Sequence, residues 1–241
     1  MDHGPVLTPA ALRAPRAAAA AGILFSLLLA AALVLIRLSV PSEATEAGAW
    51  LTDGTRRAAV TVALNLVPFA GIAFLWFIGV VRDRIGQHED RFFATVFLGS
   101  GLLFIAMLFV AAAVAGGVLA DPAIEAGHTP SPDQWALGRR ITFTVLNIYA
   151  MRMGAVFILS TTTIALRTRI IPRWLGIAGY AVAVTLLFGV GLTAWVSLLL
   201  PAWVLILSVY ILWTSLRAGR ETGSGRDTRR AAMSGTEPGS H

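Results

Sequence analysis

Apolar residues in this chain come in long unbroken blocks rather than in stripes, and polar residues gather in short clusters between them. A bilayer-spanning helix needs about 20 mostly apolar residues. The blocks predict spans at about residues 17–40, 58–81, 92–120 and 141–166. A final apolar block from Trp174 to Leu216 is too long for one span. Its break falls at GVGLTAW, residues 189–195, where glycines and an interfacial tryptophan cluster, giving spans at 174–190 and 196–216. The expected fold is an all-α transmembrane bundle of six spans. A short tail, residues 1–16, precedes it, and an arginine-rich tail, residues 217–241, follows. The latter tail lacks apolar periodicity and is expected to be disordered.

The first block has Arg13 and Arg16 before it and small residues after it, as a cleaved signal peptide would. Its apolar run exceeds the ~7–15 residues of a signal core, so an uncleaved span is expected.

Arginine placement sets the expected orientation. With the N-terminus inside, the inner segments hold Arg13, Arg16, Arg82, Arg84, Arg91, Arg167, Arg169, Arg173, Arg217, Arg220, Arg226, Arg229 and Arg230. The outer ones hold only Arg37, Arg56, Arg57, Arg139 and Arg140. Both termini are therefore expected inside.

Composition agrees. Hydrophobic residues make up 56% and charged residues 13% of 241, with a mean hydropathy of +0.74. A soluble domain carries about a quarter charged residues. The net charge of +6 comes from arginine alone, and its position at block ends argues for membrane topology rather than nucleic-acid binding. The absence of cysteine excludes disulfides, thiolate metal sites and a cysteine nucleophile.

One charge breaks the pattern. In NIYAMRMGAVF, residues 147–157, Arg152 lies about 18 Å along the helix from Arg140 and about 22 Å from Arg167. A central arginine costs about 2.5–3.5 kcal/mol on insertion scales and normally faces the bundle interior or a water-filled cavity. No Asp or Glu occurs within any predicted span. The expected partners are neutral: Tyr149 three residues away on the same face, Asn65 from the second span, and carbonyls freed near Pro68. Asn147 points to the other side of its helix and is the poorer choice. These four residues, Arg152, Asn65, Tyr149 and Asn147, form the expected ligand-binding set. Either Arg152 supplies positive charge to a small anionic or amphipathic ligand, or it locks helix packing in a structural, regulatory or assembly protein.

Other features read as structure. Ala150 and Gly154 form a small-xxx-small pair for close helix approach. Ser160, Thr161, Thr162 and Thr163 can bond back to their own helix. FLGSGLLF, residues 97–104, is packing, because no phosphate-binding context surrounds its glycines. FLWF, 74–77, is expected to face lipid or to pack. His88, Glu89 and Asp90 read as a solvated turn rather than a metal site. No histidine or carboxylate lies in a span, and no HExxH, GxSxG or P-loop occurs, so no catalytic residue, metal or cofactor is assigned. The expected partners are the lipid bilayer and a small anionic ligand, with no nucleic acid.

Two spans begin and end alike: RRAAVTVALN at 56–65 against RRITFTVLN at 139–147, and RDRI at 82–85 against RTRI at 167–170. A parallel internal repeat would produce this and would set Asn65 and Asn147 at similar depth. Apolar helices with arginine flanks would also produce it.

The stretches EDRFFATVFLGSGLLFIAMLF (89–109), LNIYAMRMGAVFILSTTTIALRT (146–168) and PRWLGIAGY (172–180) resemble a group of uncharacterised bacterial integral membrane proteins, of actinobacterial type and of the domain-of-unknown-function class. The resemblance covers the region from the second span to the sixth. It implies a six-span fold in a bacterial cell membrane and transfers no activity and no site residue.

Overall fold

The computed structural model describes residues 9–40, 54–85, 91–119, 132–189 and 195–234. Among these residues the chain is all helix. In order come α1 (Pro9–Ser39), α2 (Gly54–Ile85), α3 (Arg91–Leu119), α4 (Pro132–Phe143), a π-helical segment (Thr144–Ala150), α5 (Met151–Arg167), α6 (Arg173–Phe188), a 3-10 turn (Val196–Leu198) and α7 (Leu199–Ser234). Helix is what apolar segments in lipid must form, since it satisfies every backbone group internally.

Five stretches are long and apolar enough to cross a membrane: Arg16–Ser39, Gly54–Arg82, Phe92–Gly117, Asp133–Arg167 and Val196–Arg217. α6, expected as a fifth span in the sequence, has only 16 residues, or about 24 Å, against an apolar core of about 30 Å.

Two differences from expectation stand out. The fourth span is not one regular helix but α4, a π turn and α5 in continuous succession. The last helix runs on past the apolar block that ends at Leu216, to Ser234. The loop bearing His88, Glu89 and Asp90 lies outside the described residues.

The bundle has two arginine-marked ends. Arg37, Arg57 and Arg139 mark one, and Arg16, Arg82, Arg167 and Arg217 the other. At the second end Arg167 lies over the Phe93 ring at 4.4 Å and Arg217 over the Trp213 ring at 3.5 Å. Cation–π contacts of this kind hold the guanidiniums over the ring faces.

α1 packs against α2 and α7, α3 bridges α2 to the α4–α5 unit, and α6 lies mainly on α5. A chain of phenylalanines fills the centre. Phe74 of α2 meets Phe25 of α1 at 4.4 Å, Phe157 of α5 at 4.9 Å and Phe104 of α3 at 5.4 Å between ring centres. These rings are fully buried. FLWF therefore divides: Phe74 and Phe77 enter this core, while Leu75 and Trp76 face outward.

The small residues act as expected. Ala150 and Gly154 are buried, and a methyl group at Gly154 would collide with Leu200 Cδ1 and lie 3.3 Å from Phe104 Cδ2. Ser160, Thr161 and Thr163 donate to the carbonyls of Val156, Phe157 and Leu159. Thr163 also shares a 3.0 Å hydrogen bond with Tyr180 Oη of α6. Thr162 differs, since its buried hydroxyl has no hydrogen-bond partner.

α5 ends in a Schellman turn. Ile170 N–H donates to Ala165 O and Arg169 N–H to Leu166 O, with Arg169 in the left-handed region at φ 53°. Pro172 then starts α6, whose first amides it accepts at Leu175 and Gly176.

Candidate functional site: an apolar cavity at the Arg37 end

A cavity of about 270 Å³ opens among α1, α2, α3 and the α4–π unit, with Ser197 contributed from the turn before α7. Its walls are aliphatic: Leu29 and Ile36 from α1, Leu64 and Val67 from α2, Leu108 and Ala111 from α3. Arg37 and Arg139 line it at the end where both side chains are exposed.

The cavity exists because the α6–α7 hairpin is short. Leu200, near the start of α7, packs on Gly154 beside Phe104, which lies midway along α3. Leu200 therefore lies near mid-depth, and the described walls toward the Arg37 end come from the other helices and Ser197. At the deep end the walls reach Leu29, one helical turn from the buried Phe25 ring.

The lining positions on the α4–π unit are Gly138, Arg139, Thr142, Phe143, Leu146 and Asn147. Their spacing is that of one helical face. Along it the chemistry passes from guanidinium through hydroxyl to carboxamide. The Thr142 hydroxyl is buried and has no hydrogen-bond partner among the described residues. An unpaired buried hydroxyl costs about 1–3 kcal/mol, which a polar ligand atom or a water in the cavity would recover. Asn147 Nδ2 donates to Phe143 O at 3.2 Å, a bond that leaves the side-chain oxygen able to accept. Across the cavity, Pro68 lacks the amide that would bind the Leu64 carbonyl, and Leu64 is a wall residue.

The structure divides the four residues expected to form a site. Asn147 lines the cavity. Asn65 is exposed, with Nδ2 donating to Thr61 O at 2.8 Å. Tyr149 is 56% exposed, and Arg152 is exposed beside it. Arg152 was expected inside the bundle and lies on its surface, so the cavity does not draw on it, on Tyr149 or on Asn65. The buried neighbours Met151, Gly154 and Ala155 occupy the inward face of α5 and turn Arg152 away from it.

Arg37, Arg139 and Thr142 went unassigned in the sequence. Both arginines read there as topology signals at span ends. The discernible signal was the face shared by Arg139, Thr142, Leu146 and Asn147, and the π turn that interrupts the helix at Thr144–Ala150 was not visible in residue types. Among the described residues, no cluster of His, Asp or Glu could hold a metal ion.

Comparison with protein-family models, with curated proteins and with solved structures finds no match to this chain.

Proposed function

We propose that this chain is a multi-pass protein of a bacterial cell membrane, with both termini inside and α6 and α7 forming a hairpin that enters from the inner side, and that it binds a small amphipathic anion from the outer side. The observation that carries the reading is the pair Arg37 and Arg139 on the exposed end of an otherwise aliphatic cavity. An aliphatic tail would displace poorly held water from the walls, and an anionic head would take charge-assisted hydrogen bonds from the two guanidiniums. Asn147 and the unpaired Thr142 hydroxyl supply further polar contacts. The cavity volume of about 270 Å³ lies just below the ~300–1,000 Å³ range of ligand pockets, which favours a short chain over a whole phospholipid. The arginine distribution favours the Arg37 end as the outer one. The buried Phe25, Phe74 and Phe104 cluster lies across the centre of the bundle, so binding is supported more directly than passage.

The test uses purified protein in nanodiscs and three probes with one chain length: decanoate, decanol and decyltrimethylammonium. The reading predicts that decanoate raises the Tm most and that the cation raises it least. Equal shifts for all three would show that only the apolar walls matter, and the reading would fail.

The assembly reading has its own observation, the exposure of Arg152.

A further inference from the structure

Arg152 lies at mid-depth. Gly154, half a turn away, packs on Phe104, which lies midway between Phe92 and Gly117 on α3. Yet Arg152 is exposed on the bundle surface, and so is Tyr149 one turn before it. Among the described residues neither side chain has a hydrogen bond or an ion pair. A guanidinium carries five N–H donors and no acceptor, and hydrocarbon satisfies none of them.

The exposure follows from the length of α6. Thr163 of α5 and Tyr180 of α6 meet at 3.0 Å and fix the register of the two antiparallel helices. From there α6 runs about 12 Å farther to Phe188, while Arg152 lies about 16 Å along α5 in the same direction. α6 therefore ends short of Arg152, and Phe188 at its tip is 82% exposed. Among the described residues, no helix covers the strip of α5 beyond that tip, at Tyr149 and Arg152.

We infer that this strip is an intramembrane docking surface for a transmembrane helix of a different protein, one that carries an aspartate or glutamate near the middle of its span. The charge fixes the chemistry of the occupant. A cation facing lipid at mid-depth is stabilised most by an anion at its own depth. A second copy of this chain cannot supply one at that depth, because the single acid in its membrane-crossing stretches, Asp133, lies at the very end of one. Lipid phosphates sit at the bilayer surface, about 15 Å from the midplane of an apolar core about 30 Å thick. A carboxylate on a partner helix reaches Arg152 directly and accepts bidentate bonds from it, and the Tyr149 hydroxyl, on the same face, adds a donor.

The probe is a leucine–alanine helix of about 20 residues with one central aspartate, co-reconstituted with the full chain in phosphatidylcholine bilayers. Association is read by energy transfer between a dye on the peptide and one on the inner tail. The inference predicts association on the order of tenfold tighter for the central-aspartate peptide than for its asparagine or terminal-aspartate versions. Arg152→Leu abolishes the difference, and Arg152→Lys keeps part of it. Arg152→Leu removes a lipid-exposed charge, and unchanged circular dichroism and Tm verify that it folds. Equal association of all three peptides overturns the inference. So does a disulfide-linked dimer of Tyr149→Cys in peptide-free bilayers, readable because the chain has no native cysteine, since a second copy would then cover the strip. A rise in Tm with phosphatidylglycerol that depends on Arg152 would assign the surface to lipid instead and likewise overturn it.

Discussion

Arg37 of α1 and Arg139 of α4 line the same end of one aliphatic cavity, brought together from the first span and the fourth. Two exposed cations at a binding mouth attract anions through solvent as well as by contact, and that attraction is screened by salt. Decanoate affinity should therefore fall about tenfold between low salt and 1 M sodium chloride, where the screening length shrinks to about 3 Å. Decanol affinity should not fall. Isothermal titration of both ligands across the salt series checks this, and a parallel response of the two would argue against an ionic mouth.

Thr142 makes a prediction that separates binding from stability. Its hydroxyl is buried without a partner, so Thr142→Val removes an unsatisfied group and keeps the shape. The Tm of the empty protein should stay level or rise. Decanoate binding should weaken about threefold to tenfold if the hydroxyl bonds the ligand head, the range of one hydrogen bond. Thermal melts with and without ligand read both quantities. A loss of Tm in the empty protein would mean that the hydroxyl is satisfied after all.

The short hairpin that opens the cavity rests on Gly154. A methyl group there collides with Leu200 Cδ1, so Gly154→Ala should destabilise the bundle by about 1–3 kcal/mol through overpacking. Leu200→Ala alone should cost about 2–5 kcal/mol by leaving a void. The double variant should be more stable than the sum of the single losses implies, because the shortened Leu200 makes room for the methyl group. Equilibrium unfolding in mixed micelles measures the coupling, and strict additivity would contradict the packing described.

Arg169 holds a left-handed backbone at the end of α5, a conformation that costs a non-glycine residue about 1 kcal/mol or more. Arg169→Gly should raise stability by about 1 kcal/mol, seen as a higher unfolding midpoint in the same assay. A fall would show that the guanidinium itself is needed there.

Most of the fold was legible in the sequence because a membrane span declares itself by apolar length alone. The break after Phe188, the close approach at Gly154 and the back-bonded Ser160, Thr161 and Thr163 all followed from residue type. The site was much less legible. Arg152 drew attention as a charge among apolar residues, but its direction depends on which face of α5 is inward, and in a helix apolar all round no stripe reveals that. Asn147, taken from the sequence as the poorer candidate of the four, is the one of them that lines the cavity. The π turn at Thr144–Ala150, which places Leu146 and Asn147 on the cavity wall, and the shortness of α6 are properties of three-dimensional packing rather than of local composition.

The central claim is that Arg37 and Arg139 together hold the head of an amphipathic anion. The most direct measurement is the equilibrium binding of radiolabelled decanoate and decanol to nanodisc-embedded protein, wild type against the double variant Arg37→Gln/Arg139→Gln. The account predicts that decanoate affinity drops on the order of 100-fold, from the loss of two charge-assisted bonds, while decanol binds as before. Decanoate affinity that is unchanged in a folded double variant would contradict it.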